Sequence, residues 1–315
     1  MRQGSTLRAV RIPATALILT ATLAPVAAGQ APVRLQVLDT AVFRSPRVVE
    51  SSGVTPSTRR AGVLWTHNDS GDEPRLYATD SAGDDLGSVR VAGARNVDWE
   101  DLGAGPCAPA PTRCLYIADI GDNARARDHI VIYRLAEPDP PAAASDTLRS
   151  VGIDQATSLR YPDHPHDAEA VVVDGPDRIL VITKEILGRP RVYRLPPRST
   201  PQRPGAVDTL RLVGLLDLAP SLARLRVVTG AAVSPDGRVA AVRTYSSVSF
   251  YRLRGDSLPV PLTPPEGITI PFVEPQGEGI AFLSPTELVL TSERGQSDHA
   301  TIVRLRVSNL PRAAP

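Results

Sequence analysis

Tyr133-Arg134-Leu135 is a triplet that the chain repeats as Tyr193-Arg194-Leu195 and Tyr251-Arg252-Leu253. A degenerate copy follows at Val303-Arg304-Leu305, and successive copies lie 60, 58 and 52 residues apart. Self-similarity at such a period is typical of repeat architectures, in which each repeat is one supersecondary unit. The triplet is therefore the feature that decides the fold class.

The sequence around each triplet predicts a unit of four short β-strands. Each unit opens with a small or acidic residue that leads into an apolar run, and a second apolar run follows before the triplet. The openings are Ser52-Gly53-Val54, Glu100-Asp101-Leu102, Glu169-Ala170-Val171, Ala231-Ala232-Val233 and Glu278-Gly279-Ile280. The runs are rich in β-branched residues and are bounded by Gly, Pro, Asp and Asn, as strands are. Four strands per unit of this length form a propeller blade, so we predict an all-β chain folded as a single β-propeller.

Five blades are predicted, and the weak fourth strands leave a sixth open. The segment Arg34 to Leu38 is left over before the first unit, and the last unit lacks a fourth strand after Leu305. We predict that this N-terminal segment pairs with Ile302 to Arg306 as the outer strand of the last blade. Such pairing closes the ring and removes an open sheet edge.

The N-terminal residues have the pattern of a secretory signal peptide. Three arginines precede an apolar run over residues 12–26, and small residues follow to Ala28. A membrane anchor is the alternative, but the run is short and contains Pro13 and Pro25. We predict a signal peptide over residues 1–28, a propeller domain over residues 29–315, no transmembrane segment, and a secreted or periplasmic protein.

The charge of the chain gives no reason to expect a nucleic-acid partner. The full chain has 35 Lys and Arg side chains against 34 Asp and Glu. The predicted leader holds three of the arginines and no acidic residue, so the mature chain has 32 basic against 34 acidic side chains. Nucleic-acid binding requires a basic patch or stripe. We expect a monomer whose partner is a small molecule or a ligand of the cell envelope.

The only two cysteines, Cys107 and Cys114, lie in a proline-rich stretch with six residues between them. Export takes a protein to an oxidising compartment, where such a pair forms a disulfide. We predict a Cys107–Cys114 disulfide that closes this loop.

The openings of the units place acidic side chains on one face of the predicted propeller. The first strand of a blade starts on the face where the second strand ends, so these positions form two rings around the axis. The inner ring is Glu100, Glu169 and Glu278, with Ser52 and Ala231 in the other blades. The next ring is Asp69, Asp119, Lys184, Arg243 and Glu293. We call these two rings the acidic mouth.

Carboxylates that share one axis repel one another, raise each other's pKa, or bind a cation. The predicted ligand-binding residues are Glu100, Glu169, Glu278, Lys184, Arg243 and Glu293. The predicted metal ligands are Asp119, Glu169 and Glu278. In this hypothesis the two cationic side chains hold an anionic ligand, while the carboxylates hold calcium or move protons. The alternative is that the acidic residues pair with neighbouring blades or cap backbone amides.

Lys184 is the only lysine in a chain that otherwise uses arginine for positive charge. Lysine presents a compact point charge, whereas arginine presents a planar fork. A site that needs a small cation beside carboxylates favours lysine, so we predict an ion pair between Lys184 and Glu169 or Glu100. The alternative is a solvated side chain at the rim.

Three other motifs are compatible either with ion binding or with ordinary turns. The stretch His67 to Asp72 and the stretch Gly121 to Asn123 offer oxygen ligands for calcium, but neither has the full spacing of a calcium loop. Turn chemistry explains both. His164-Pro165-His166, with the acidic residues that follow, offers two imidazoles and a carboxylate to zinc, and surface histidines are the alternative.

Short stretches of the chain resemble known propeller families. Ser234 to Ala240 resembles the Ser-Pro-Asp-Gly hairpin of TolB-like propellers. Most of the mature chain is similar to secreted bacterial propellers of the phytase-like or esterase-like type, through Asp167 to Ala170, Gln276 to Phe282 and Thr291 to Glu293. This resemblance implies calcium-assisted phosphoester hydrolysis or related ligand binding, and it assigns no catalytic residue.

Two functions of different classes follow from these features. The first is an exported propeller that binds a small anionic, phosphoester-like ligand at the acidic mouth with calcium, and that would be a metal-assisted hydrolase if it is an enzyme. The second is a non-enzymatic interaction or scaffold module of the cell envelope. Because a propeller supports both, the fold class alone leaves the question of enzymatic activity open.

Overall fold

The computed structural model describes residues 31–107, 113–141, 149–197, 203, 205–218, 227–254 and 257–311. Their regular structure is β-strand throughout, and no described residue lies in an α-helix. The strands are β1 (Arg34–Val42), β2 (Ser51–Pro56), β3 (Val63–Asn68), β4 (Arg75–Asp80), β5 (Asp85–Ala92), β6 (Trp99–Pro106), β7 (Arg113–Asp119), β8 (Ile130–Ala136), β9 (Arg149–Gly152), β10 (Gln155–Arg160), β11 (Ala168–Gly175), β12 (Arg178–Thr183), β13 (Arg191–Arg194), β14 (Asp208–Thr209), β15 (Arg211–Leu215), β16 (Val228–Val233), β17 (Val239–Thr244), β18 (Ser247–Arg254), β19 (Ser257–Pro261), β20 (Ile268–Thr269), β21 (Gln276–Ser284), β22 (Glu287–Glu293) and β23 (Thr301–Ser308).

Five antiparallel sheets form the blades of a β-propeller. Blades I to V have the strand orders β2-β3-β4-β5, β6-β7-β8-β10, β11-β12-β13-β15, β16-β17-β18-β19 and β21-β22-β23-β1. The innermost strands contact one another in a closed cycle, from β2 through β6, β11, β16 and β21 back to β2. The predicted five-bladed, all-β propeller is confirmed, and the described residues form no sixth blade.

The centre of β11 is a continuous apolar run because its blade packs against a neighbour on both faces. In β11, Val171 and Val173 pack in a cluster with Ile130 of blade II, whereas Val172 packs in a cluster with Val228 of blade IV. Successive side chains of a strand point to opposite faces, so burial of both faces requires an apolar residue at every position. Burial of one such side chain stabilises the fold by about 1.5–3 kcal/mol.

The repeated triplet lies at the third strand of blades II to V, and blade I has no copy. Tyr133, Tyr193 and Tyr251 are buried, and Val303 of the degenerate copy is fully buried. The repeat in the sequence therefore reflects a repeated packing position between blades.

Strand β1 closes the ring, as predicted. It pairs antiparallel with β23 from Arg34 opposite Ser308 to Val42 opposite Thr301. The strand is longer than the five residues expected from the sequence, and one register shift lies between Val37 and Asp39. The outer edge of β23 is consequently paired, and β1 is the outermost strand of the last blade.

The connectors that follow two of the third strands extend the preceding blades. Strand β9, after β8, pairs parallel with β5, and β14, after β13, pairs parallel with β10.

The predicted Cys107–Cys114 disulfide is present, and it joins the ends of β6 and β7. A disulfide is consistent with an exported protein.

Pro32–Pro315 form one compact unit. The predicted signal peptide, residues 1–28, lies outside the described residues and stays a prediction. No helix of the length and apolarity needed to cross a membrane occurs in the part of the chain that the structure describes.

Candidate functional site

Each innermost strand contains a β-bulge at the same position, opposite the end of the second strand of its blade. A bulge inserts one extra residue and re-aims the side chain there, and bulges are common beside functional sites. The bulged residues are Ser52, Glu100, Glu169, Thr229 and Glu278. The fold thereby places three glutamates at corresponding positions of the acidic mouth.

Blade IV corrects one predicted position. The apolar run of this blade favoured Ala231 for the inner ring, but the bulge of β16 falls between Val228 and Gly230 and places Thr229 there. Ala231 lies two residues further along the strand, where its backbone N–H donates to Asp101 Oδ2 at 3.3 Å. The position was wrong because a bulge shifts the register without leaving a mark in the alternation of apolar residues.

The three inner glutamates are buried together. Glu100, Glu169 and Glu278 are only 2–3% exposed. Burial raises the pKa of Glu100 and Glu169 well above the ordinary range, and repulsion from neighbouring carboxylates raises it further. Burial also raises the pKa of Glu278 to about 8. At neutral pH Glu278 therefore keeps its proton unless a cation compensates its charge.

Lys184 supplies the ammonium group of the acidic mouth. Its Nζ lies 2.5 Å from Glu169 Oε1 and 5.9 Å from the centre of the Tyr245 ring. Burial opposes the charge on Lys184, but the attraction of Glu169 outweighs it and raises the lysine pKa. The predicted contact between Lys184 and Glu169 is confirmed, whereas a role in ligand binding stays a prediction.

Glu278 has one satisfied and one unsatisfied carboxylate oxygen. Gln276 Nε2 donates to Oε1 at 3.2 Å. Oε2 is buried and has no hydrogen-bond partner among the described residues, although the Tyr245 hydroxyl lies nearby. A buried acceptor without a partner is costly, and a bound cation would satisfy it.

Two further carboxylates, Asp98 and Asp167, extend the acidic mouth. One oxygen each from Asp69, Asp98 and Glu100 lie within 4.8 Å of one another. The same holds for one oxygen each from Glu100, Asp167 and Glu169. Clustered carboxylate oxygens are the ligands that calcium and magnesium prefer.

Asp98 and Asp167 were missed in the sequence, although a signal was present. Each lies two residues before its bulge glutamate, as Gln276 lies two residues before Glu278. Residues two apart in an extended chain point to the same side. The available clue was therefore a shared pattern in which an acidic or amide residue is followed by any residue and then by glutamate.

Asp119 does not join the metal-ligand set predicted for it with Glu169 and Glu278. Arg127 Nη2 lies 2.8 Å from Asp119 Oδ1, and the backbone N–H groups of Val97 and Asp98 donate to the same carboxylate. Among the described residues, neither set of three carboxylates includes Asp119 or Glu278, but Asp119 differs from Glu278 in that Arg127 already engages it. Its geometry instead favours a role in holding the loop before β6.

Arg243 is also placed differently from the prediction that it holds an anion. Its side chain is fully buried, and Nη1 donates to the carbonyl oxygens of Gly279 and Thr291 at 2.5 and 2.8 Å. Nη2 forms an ion pair with Glu274. These contacts link blade IV to blade V and leave the guanidinium engaged within the protein.

Glu293 lies at the rim of the acidic mouth. Its backbone pairs with that of Glu50 of blade I. Burial raises the pKa of Glu293 to about 8, and repulsion by Asp69 and Glu50 adds to this effect. The predicted position of Glu293 beside the inner glutamates agrees with this electrostatic environment.

Asp101 connects three blades on the axis and was not anticipated from the sequence. Its carboxylate accepts the N–H groups of Leu102 and Val171 at 2.8 Å and that of Ala231 at 3.3 Å. Burial raises the pKa of Asp101 to about 7. The innermost strands also line a small recess of about 40 Å³, which includes Val173.

The two acidic turns have ordinary turn chemistry. Asn68 Oδ1 accepts the N–H groups of Val49 and Glu50, and Asn68 Nδ2 donates to Asp72. Asp122 accepts the N–H group of Ala126 and that of the following residue. These bonds account for the conformation of both turns, while Asp69 of the first turn belongs to the acidic mouth.

No protein-family model and no curated protein matches the sequence. Among solved structures, the chain is similar to the PQQ-bound form of an aldose sugar dehydrogenase from Streptomyces coelicolor. The identity is 14%, the TM-score is 0.45, and the match covers 88% of this chain and 99% of that chain. The fold assignment therefore depends on the five blades themselves.

Proposed function

We propose that the acidic mouth binds a divalent cation of the calcium class, and that a small anionic ligand of the phosphoester class binds through that cation. The observation that supports this most is the set of three buried glutamates on corresponding bulges, with Lys184 as their single ammonium partner. A cation would replace the protons that the raised pKa values imply. It would also satisfy Oε2 of Glu278, which has no partner among the described residues.

Binding of an anionic ligand requires a cation, because the negative charge of the acidic mouth repels anions. Two unit charges about 5 Å apart interact by about 3 kcal/mol at an effective dielectric constant of about 20. An anion therefore meets repulsion from several carboxylates and attraction from one ammonium that Glu169 already engages. A divalent cation between the ligand and the glutamates reverses the sign of this interaction.

The residues of the acidic mouth have distinct roles in this proposal. Glu100, Glu169 and Glu278 hold the cation, and Lys184 assists the ligand from beside Glu169. Glu293, with a pKa of about 8, is suited to proton transfer near neutral pH. If the ligand is turned over, the supported reaction class is cation-assisted hydrolysis of a phosphoester.

The experiment uses the mature chain, residues 29–315, after treatment with a chelator. Isothermal titration with calcium, magnesium and manganese measures cation binding, and inorganic phosphate is then titrated with and without the preferred cation. We expect calcium binding, and phosphate binding only in its presence. Absence of binding by all three cations overturns the proposal. Turnover of p-nitrophenyl phosphate distinguishes a hydrolase from a binding protein.

A further inference from the structure

A second group of metal-ligating side chains lies on the segment before β11. One ligand atom each from Asp163, His164 and His166 lie within 4.8 Å of one another. His166 Nε2 is 3.1 Å and His164 Nε2 is 3.9 Å from Asp163 Oδ2. Two ligand atoms on one tetrahedral zinc ion lie about 3.4 Å apart for bonds of about 2.1 Å. The two observed distances lie on either side of this value.

The remaining nitrogen of each imidazole is directed at an oxygen. His164 Nδ1 lies 3.0 Å from the carbonyl oxygen of Pro165, and His166 Nδ1 lies 3.6 Å from Glu185 Oε1. Arg191 in turn holds Glu185 Oε1 at 2.7 Å. Histidine ligands in proteins commonly donate their second ring N–H to a carbonyl or carboxylate, which presents the other nitrogen to the metal.

His166 is a buried imidazole with a carboxylate near each ring nitrogen. The side chain is 1% exposed, and Nδ1 has no hydrogen-bond partner among the described residues. A neutral imidazole has one N–H, yet this ring has a carboxylate near each nitrogen, so one carboxylate faces a lone pair. A cation between Nε2 and Asp163 removes this repulsion and leaves Nδ1–H directed at Glu185. The Tyr193 hydroxyl lies 2.9 Å from His166 Nε2 and 3.1 Å from Asp163, and with the cation in place it donates to that carboxylate.

We propose that Asp163, His164 and His166 form a binding site for a divalent transition-metal ion of the zinc class. Imidazole nitrogens select such ions, whereas the acidic mouth offers only oxygen ligands and suits calcium. Asp163 and His164 are 40% and 57% exposed, which gives the ion an open path and leaves a fourth position for water. The sequence pointed to the two histidines, but the carboxylate that reaches them is Asp163 rather than Asp167 or Glu169.

The test uses cobalt(II), whose visible absorption reports its coordination, and zinc as competitor. The chelator-treated mature chain should bind one cobalt ion at this site, and zinc should displace it. Glu185→Gln should lower zinc affinity by about 10- to 100-fold, the range for outer-shell changes, and His164→Ala should lower it at least as much. His129→Ala is the matched control, because His129 is exposed and outside the cluster. It should leave the affinity unchanged.

The same experiment must distinguish metal binding at this site from metal binding in the acidic mouth. Glu278→Gln should leave the cobalt spectrum and the zinc affinity unchanged. The proposal is overturned if the wild-type chain does not bind zinc, or if both His164→Ala and Asp163→Asn retain full affinity. Loss of the cobalt spectrum in Glu278→Gln also overturns it. Asp163 and His164 are substantially exposed and Glu185 is buried, and thermal unfolding of each variant verifies that it is folded.

Discussion

Glu278→Gln should make the chelator-treated protein more stable and remove its stabilisation by calcium. Burial raises the pKa of this carboxyl from 4.5 to about 8. At pH 7.5 the folded protein therefore retains a proton that the unfolded chain has released. This pH lies about three units above the pKa of the carboxyl in the unfolded chain, and one unit corresponds to about 1.36 kcal/mol. Keeping the buried carboxyl protonated therefore lowers the free energy of unfolding by about 4 kcal/mol.

Glutamine removes this cost with little change in shape, but its amide is buried in turn. An unsatisfied buried polar group costs about 1–3 kcal/mol, so we expect a net gain of about 1–3 kcal/mol for Glu278→Gln in chelator. Calcium at about 100 times its dissociation constant stabilises the wild type by about 2.7 kcal/mol. Because the variant lacks the ligand, calcium should remove its advantage or reverse the order of the two proteins.

Urea unfolding in chelator and in calcium measures both effects, with the buried Trp65 and Trp99 as fluorescence probes. Glu274→Gln is the matched control, because the Glu274 side chain is also only 2% exposed but is paired with Arg243. It should destabilise the protein by about 3–5 kcal/mol in both conditions while keeping the calcium increment. A Glu278→Gln variant that is less stable than the wild type in chelator and retains the calcium increment would refute the reasoning.

Four further predictions concern the remaining features of the fold and site. Asp101→Asn should make stability fall less between pH 5 and 8 than it does in the wild type, because the amide does not titrate whereas the raised pKa of Asp101 makes its buried carboxyl increasingly costly; urea unfolding at both pH values measures this. In chelator the wild type should lose stability as pH rises from about 5 to 8, because carboxyls such as Asp101, with a pKa of about 7, keep protons that the unfolded chain has released; unchanged urea midpoints across this range would contradict it. Replacing Cys107 and Cys114 together with serine should cost about 2–3 kcal/mol in the chain-entropy account, measured by guanidinium unfolding. Lys184→Arg should weaken calcium binding, measured by calorimetry, more than it lowers stability, because a planar fork does not fit the place of an ammonium beside Glu169.

The fold could be predicted because its main determinants are local and repeated. The tyrosines of the three full triplets are buried in the third strands of blades II to IV, so the spacing of the triplet gives the length of a blade. The pairing of β1 with β23 was also accessible, since one unit lacked a strand and one strand lacked a partner. Both inferences depend on strand number and order and not on exact register.

The site could be predicted only in part because it depends on register and on partners from other blades. The glutamates of the inner ring were identified, but the bulge that places Thr229 instead of Ala231 cannot be read from apolar alternation. Arg243 has the expected place in sequence, yet Glu274 engages it inside the protein. Asp119 is likewise engaged by Arg127, which lies in a loop that carries no repeat signal.

The most direct test of the central claim is anomalous X-ray diffraction from crystals of the mature chain grown with manganese in place of calcium. The account predicts an anomalous peak in the acidic mouth, about 2.0–2.6 Å from carboxylate oxygens of Glu100, Glu169 or Glu278. The same crystals of Glu278→Gln should show a weaker peak or none. Saturating manganese that gives no peak in the acidic mouth would contradict the account.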